Sequence, residues 1–179
     1  MSTTILHYAP LAKLLHWTVA ACVAVMIPIG IVMGKLAGGP LQNVLFDLHR
    51  SLGVLVLVLM LVRLVTRLVL PPPPLDPSIP PLQRRAADAM HKSLYVLLFV
   101  QILLGLTATS AYGAPINVFW LFSLAPFGAK DAVLAGWLYA AHALVGVLLA
   151  IMLSAHVGAA LYHHFVCRDD TLRRMLPAL

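Results

Sequence analysis

Four long apolar stretches, separated by short polar or turn-rich segments, dominate the pattern of hydrophobic and polar positions. The pattern predicts four spans, over residues 14–34, 46–70, 92–112 and 137–164. Each has about the 20 residues that a helix needs to cross a hydrocarbon layer roughly 30 Å thick. Tyr8, Pro10 and Lys13 precede the first span, and Gly38, Gly39 and Pro40 end the connection to the second. Pro71, Pro72, Pro73 and Pro74, with Pro77, Pro80 and Pro81, cannot be helix interior and are expected to form an extended linker. Residues 82–90 read as a short amphipathic piece at the interface. After the third span comes a turn-rich segment with Gly113, Pro115, Asn117, Pro126 and Gly128. Its Phe119, Trp120 and Phe122 suit a membrane-interface belt. The predicted fold is all-α: a single domain over 1–179, an integral membrane four-helix bundle running up-down-up-down, with no internal repeat.

Composition strengthens this reading. The chain is 61% hydrophobic and 10% charged, far below the roughly 25% charged residues of a soluble domain. The lipid bilayer is therefore the expected surrounding. The net charge of +6 could suit nucleic acid, but no basic patch has aromatic interleaving, and that partner is not expected. The charges instead sort by side. Lys13, Arg63, Arg67, Arg84, Arg85, Lys92, Arg168, Arg173 and Arg174 fall on one side of the four-span model. Lys35, Arg50 and Lys130 fall on the other. That bias places both termini and the proline-rich linker in the cytoplasm.

Cys22 and Cys167 lie at opposite ends of the chain, with no sign of a disulfide. No Cys-x-x-Cys-His motif occurs, which excludes covalent haem attachment of the c type. Residues 19–22 resemble a lipoprotein cleavage box, but the apolar run continues past Cys22, so an uncleaved first helix is expected.

The histidines carry the candidate chemistry. Ionisable residues inside spans are costly and are candidates for function. His142 and His156 are fourteen residues apart in the last span. Fourteen residues are almost four helical turns, so both lie on one face, about 21 Å apart along the axis. His16 sits near the inner start of the first span and His49 near the outer start of the second. Depth alone pairs His16 with His156 inside and His49 with His142 outside. Two imidazoles on facing helices can ligate a haem iron from opposite sides, giving a six-coordinate centre suited to electron transfer. The result would be two sites stacked across the bilayer.

Nearby residues fit this pattern. Gly53 and Gly146 each follow a histidine by four residues and leave a small surface where a flat macrocycle can approach. Gly30, fourteen residues past His16, faces the outer level. Arg63, fourteen past His49, reaches the inner level and is the candidate partner of a haem propionate. Each feature also has a plainer reading. A membrane histidine can be a packing or hydrogen-bonding group, the glycines can serve close helix contact, and Arg63 or Arg67 can snorkel at a helix end. A zinc site at these histidines is disfavoured, since acidic and cysteine ligands are missing from their faces. A proton-relay transporter would want a carboxylate within a span, and the chain has no Glu.

With these residues in view, the chain resembles the bacterial cytochrome b561 family of four-span, di-haem proteins. The resemblance rests on Leu15-His16-Trp17, Asp47-Leu48-His49, Leu61-Val62-Arg63-Leu64, Ala89-Met90-His91 and residues 110–122. Its most specific stretch starts at Ala155-His156 and passes through Tyr162-His163-His164-Phe165. It continues into Asp170-Thr171-Leu172-Arg173-Arg174-Met175-Leu176-Pro177. The fourteen-residue spacing is also shared with cytochrome b subunits of formate dehydrogenases and nickel-iron hydrogenases.

The resemblance implies two b-type haems with His16, His49, His142 and His156 as iron ligands, in the pairs that depth assigns. It implies electron transfer between the periplasmic side of a bacterial inner membrane and ubiquinone. One branch resembles a superoxide oxidase, which passes an electron from superoxide to ubiquinone. Superoxide is an anion and its approach should be basic, yet the outer side offers only Lys35, Arg50 and Lys130, partly offset by Asp47 and Asp131. For the quinone, His163, seven residues past His156, and His91, at the inner start of the third span, are the candidates. His7 and His164 read as surface residues.

Two functions therefore compete. One is a superoxide:ubiquinone oxidoreductase. The other is a non-enzymatic anchor and electron conduit for a separate dehydrogenase, hydrogenase or periplasmic redox protein. A third class, a haem-free transporter, would show no visible absorption.

Overall fold

A computed structural model describes residues 7–74 and 79–176. Pro77 of the linker and Pro177 of the C-terminal motif lie outside the described residues. Four long helices dominate: α1 (Pro10–Met33), α2 (Pro40–Val69), α3 (Pro81–Tyr112) and α4 (Ala132–Tyr162). All four are long and apolar enough to cross a membrane. A small antiparallel hairpin, β1 (Ile116–Val118) and β2 (Phe122–Leu124), joins α3 to α4. α4 ends in a π-helical turn, His163–Cys167.

The helices start earlier than the apolar stretches do. Proline opens α1, α2 and α3 within their first turn. There its missing N–H would be unpaired anyway, and its fixed φ suits the helix. Pro81 therefore begins a helix and does not extend the linker. For the same reason residues 82–90 are not a separate interfacial piece. They form the first turns of α3, which runs unbroken into the third span. α4 is capped by Asp131, whose Oδ1 accepts from the Val133 and Leu134 N–H groups at 3.0 Å each. α3 closes on Gly113 in the left-handed conformation (φ 84°), which suits glycine. α1 continues through Pro28.

α1 packs along α2, α3 along α4, and α2 along α3. Among the described residues, α4 packs extensively against no long helix other than α3. The core is a band at mid-height. Val19 and Val23 of α1 meet Val56 and Met60 of α2, Leu94, Leu98 and Ile102 of α3, and Leu149 of α4. Met60 is fully buried. Leu149 lies seven residues from both His142 and His156, so apolar packing separates the two histidine levels. In lipid, helices associate through such packing and through interhelical hydrogen bonds, because lipid is as apolar as the side chains.

Both ends of the bundle are closed. At the end away from both termini, called the outer end for reference, the hairpin docks on α2 through Ser51, which has no exposed surface. Ser51 Oγ accepts from the Phe119 N–H at 2.8 Å and lies 2.8 Å from the Asn117 carbonyl and 2.7 Å from the Asp47 carbonyl. Asn117 Nδ2 donates to the Asp47 carboxylate at 3.4 Å. The hairpin turn places Phe119 and Trp120 both at positive φ, 49° and 58°, an unusual strain for aromatic residues. At the inner end the C-terminal segment straps the helix ends together. Trp17 Nε1 donates to the Met175 carbonyl at 2.9 Å, and Tyr8 N–H to the Arg174 carbonyl at 3.3 Å. Arg174 Nη2 donates to the Pro73 and Pro74 carbonyls at 3.1 and 2.8 Å.

Candidate functional site

The antiparallel bundle brings the four span histidines together in two pairs. His16 of α1 and His156 of α4 have ring centroids 6.3 Å apart. His49 of α2 and His142 of α4 stand 6.2 Å apart. Both pairs bridge helices that are not closely packed on each other. A third imidazole joins the inner level: His91 of α3 lies 5.3 Å from His156.

The outer pair is seated by glycines on the neighbouring helices. A Cβ on Gly105 of α3 would stand 3.0 Å from His142 Cε1. With no side chain there, the ring reaches the α3 backbone, and Nδ1 donates to the Gln101 carbonyl at 2.9 Å. That bond places the proton on Nδ1 and the lone pair on Nε2, which accepts from the Gln101 amide at 3.1 Å. Gln101 thus holds the ring at both nitrogens; metal ligation through His142 Nε2 would displace the amide and leave the carbonyl bond to Nδ1. The Gln101 side chain lies against Gly146, where a Cβ would come within 3.1 Å.

His49 repeats the arrangement on α1. A Cβ on Gly30 would stand 3.3 Å from His49 Cε1. Met26, four residues before Gly30, occupies the place that Gln101 holds before Gly105, and its backbone faces the His49 ring. His49 Nδ1 is buried and has no hydrogen-bond partner among the described residues. A Cβ on Gly53 would meet Met26 Cε of α1 at 3.8 Å, an ordinary packing contact.

At the inner level Arg63 Nη2 donates to His16 Nδ1 at 2.7 Å. The Arg63 and Arg67 guanidiniums lie over the Tyr95 ring, 5.4 and 5.6 Å from its centroid. These three residues, with Tyr8, line a small cavity under the C-terminal strap. Because Arg63 can only donate, His16 Nδ1 accepts, and the neutral ring then carries its proton on Nε2. Metal ligation through His16 Nε2 would move that proton to Nδ1 and release Arg63 towards another anionic or acceptor group.

The remaining candidates separate. His163 stands on the π-helical turn, where Nδ1 meets Asp169 Oδ2 at 2.5 Å. Partial burial acts to raise the Asp169 carboxyl, but hydrogen bonds from Thr171 and His163 outweigh it and hold the group below the usual carboxylate range. His7 is exposed. His164 is not a plain surface residue: it is half-buried, packs on Phe165 at 4.7 Å, and its buried Nδ1 has no partner among the described residues. Gln101, Gly105 and Ser51 were not singled out by sequence. Gln101 was detectable in principle, as a polar residue inside an apolar span.

These residues fit a haem on three observations. Two metal–nitrogen bonds of about 2 Å, with the half-width of each ring, span roughly 6 Å, close to the observed centroid separations. The donor set is imidazole on both faces at both levels. The glycine seats leave bare backbone beside the outer rings, where an added methyl group would press on them.

Comparison with known proteins agrees with this geometry. A family model described as prokaryotic cytochrome b561 matches residues 7–178. Cytochrome b561 homolog 2 of Escherichia coli (strain K12) is 37% identical over 175 residues, covering 95% of this chain and 91% of that protein. Cytochrome b561 homolog 1 of the same organism is 31% identical over 164 residues, covering 91% and 93%. A probable superoxide oxidase CybB of Yersinia pestis is 33% identical over 133 residues, 73% of each chain. The chain therefore belongs to the prokaryotic cytochrome b561 family, multi-pass bacterial membrane proteins that transfer electrons through haem b.

Proposed function

We propose that this protein carries single electrons across the bacterial inner membrane through two b-type haems, one at each histidine level, from superoxide on the periplasmic side to ubiquinone. The observation that carries the reading is the pair of opposed imidazoles at each of two depths, 6.3 and 6.2 Å between centroids. His16 with His156, and His49 with His142, are the proposed axial ligands. A haem iron held between two imidazoles supplies a one-electron couple with no open position for substrate.

The chain's own residues orient and insulate. Gln101 sets the His142 tautomer, and the Gly105 and Gly30 seats hold the outer rings against backbone. The band around Met60, Val56 and Leu149 keeps water from the space between levels. Arg63, freed from His16, is placed to pair with a propionate. His91, beside His156, is the better-placed group to hydrogen-bond a quinone oxygen, with His163 the second candidate. The excess of Lys and Arg at the end that carries both termini supports a cytoplasmic location for them.

Superoxide as donor is supported by the relative named a probable superoxide oxidase. One feature favours the second reading, an anchor and conduit for a protein donor. Arg50 lies 4.0 Å from Asp47 and over Phe46, so its charge is partly compensated. Beside it, the hairpin exposes Trp120, Leu121 and Phe122.

Rapid mixing separates the two. The purified, oxidised, haem-loaded protein is mixed with superoxide, haem reduction is followed by absorbance, and ubiquinone is then added. Reduction within milliseconds and reoxidation by quinone are expected of the oxidoreductase. A spectrum that superoxide leaves unchanged overturns it in favour of the conduit.

A further inference from the structure

The inner end of α4 holds a cluster of which the electron path uses neither Cys167 nor Asp169. The helix widens there into the π-helical turn His163–Cys167, a form that often marks functional sites. Arg168 then adopts a left-handed backbone, φ 55°. The chain folds back, and the Asp169 N–H donates to the His163 carbonyl at 3.2 Å. This reversal sets three different donors side by side: the His163 imidazole, the Cys167 thiol and the Asp169 carboxylate. Their ligand atoms all lie within 4.8 Å of one another. The carboxylate is aimed, since Oδ1 accepts from the Thr171 N–H at 2.9 Å and Oδ2 faces His163 Nδ1. Cys167 is a free, exposed thiol.

We propose that His163, Cys167 and Asp169 form a zinc site on the inner surface of the protein. One nitrogen, one sulfur and one carboxylate oxygen are a donor set suited to Zn²⁺. Calcium and magnesium take all-oxygen shells. A tetrahedral zinc ion holds its ligand atoms roughly 3.3–3.8 Å apart. The cluster reaches that spacing if the His163–Asp169 pair opens by about 1 Å, with the exposed thiol already within 4.8 Å of both. The thiolate is the ligand form, so binding releases the Cys167 proton. With three protein donors, and Cys167 open to solvent, water completes the fourth position. The site does not depend on a quinone binding nearby.

The test uses the full-length, haem-loaded protein in detergent, with any affinity tag removed and zinc as the only added metal. Competition with a chromophoric chelator is expected to show one zinc per chain. Zinc K-edge absorption is expected to show one sulfur neighbour at about 2.3 Å. Cys167→Ser should lose that sulfur and weaken binding about 100-fold, and Asp169→Asn about 10-fold, with unchanged haem spectra reporting an intact fold. Equal zinc affinity in the wild type and Cys167→Ser, or a zinc shell without sulfur, overturns the proposal. If a variant does not fold, alkylation of the wild-type thiol decides instead. Zinc should protect Cys167, read by mass spectrometry of its peptide, and an unchanged rate of modification overturns the site.

Discussion

Gln101 grips His142 at both ring nitrogens, through its backbone carbonyl at 2.9 Å and its side-chain amide at 3.1 Å. The grip exists because Gly105, one turn further along α3, has no side chain to hold the ring away. A glycine and the carbonyl four residues before it thus act as one seat. Gly30 takes the corresponding place beside His49 on α1, without a completed bond to a carbonyl.

The seats lead to a graded prediction. Gly105→Ala puts a methyl group 3.0 Å from His142 Cε1 and 3.2 Å from Nδ1, tighter than nearly all real contacts, so the ring must shift and its bond to the Gln101 carbonyl weakens. Outer haem occupancy should fall sharply, while the inner haem stays. Gly30→Ala, at 3.3 Å from His49 Cε1, should have the same effect more weakly. His142→Ala should remove the outer haem altogether. Haem-to-protein ratio and the reduced-state spectrum check all three. Equal loss of both haems in His142→Ala would count against independent sites.

Arg63 places a positive charge at the inner level, hydrogen-bonded to His16 and stacked on Tyr95. A nearby cation favours the reduced form of a centre that gains an electron. Arg63→Leu should therefore lower the inner potential, by something on the order of 60 mV, the one-electron equivalent of a tenfold shift. A redox titration checks this, and an unmoved potential would leave Arg63 a role in packing alone.

Ser51 ties the outer hairpin to α2 and has no exposed surface. Ser51→Ala removes the acceptor for the Phe119 N–H and leaves buried polar groups unpaired, at a cost of about 1–3 kcal/mol. The hairpin should then open locally while the helices stay folded. Faster protease cleavage between α3 and α4, with both haems retained, is the expected result. Cleavage at the wild-type rate would show that the strained turn is held by other contacts.

The four spans were legible in the sequence because hydropathy and length are local properties. The two histidine levels were legible because helical rise converts residue number into depth. That is why His142 and His156 could be paired with His49 and His16 from spacing alone. Helix starts were less legible: Pro81 looks like linker to a hydropathy reading, yet it opens α3. Gly30 was placed at the outer level by its spacing from His16, but that it rests on His49 is a contact that spacing does not specify.

By itself, then, the sequence determined the membrane setting, the number of spans, their depth order and the imidazoles at each level. Tertiary structure alone decided which backbone each ring rests on. It also decided that Gln101 sets the His142 tautomer, that Ser51 anchors the hairpin, and that Asp169 folds back to His163. Those choices depend on how one helix is rotated against another and on a single left-handed residue at Arg168. Neither is written in periodicity, because a helical repeat specifies a face and not the neighbour that face will meet.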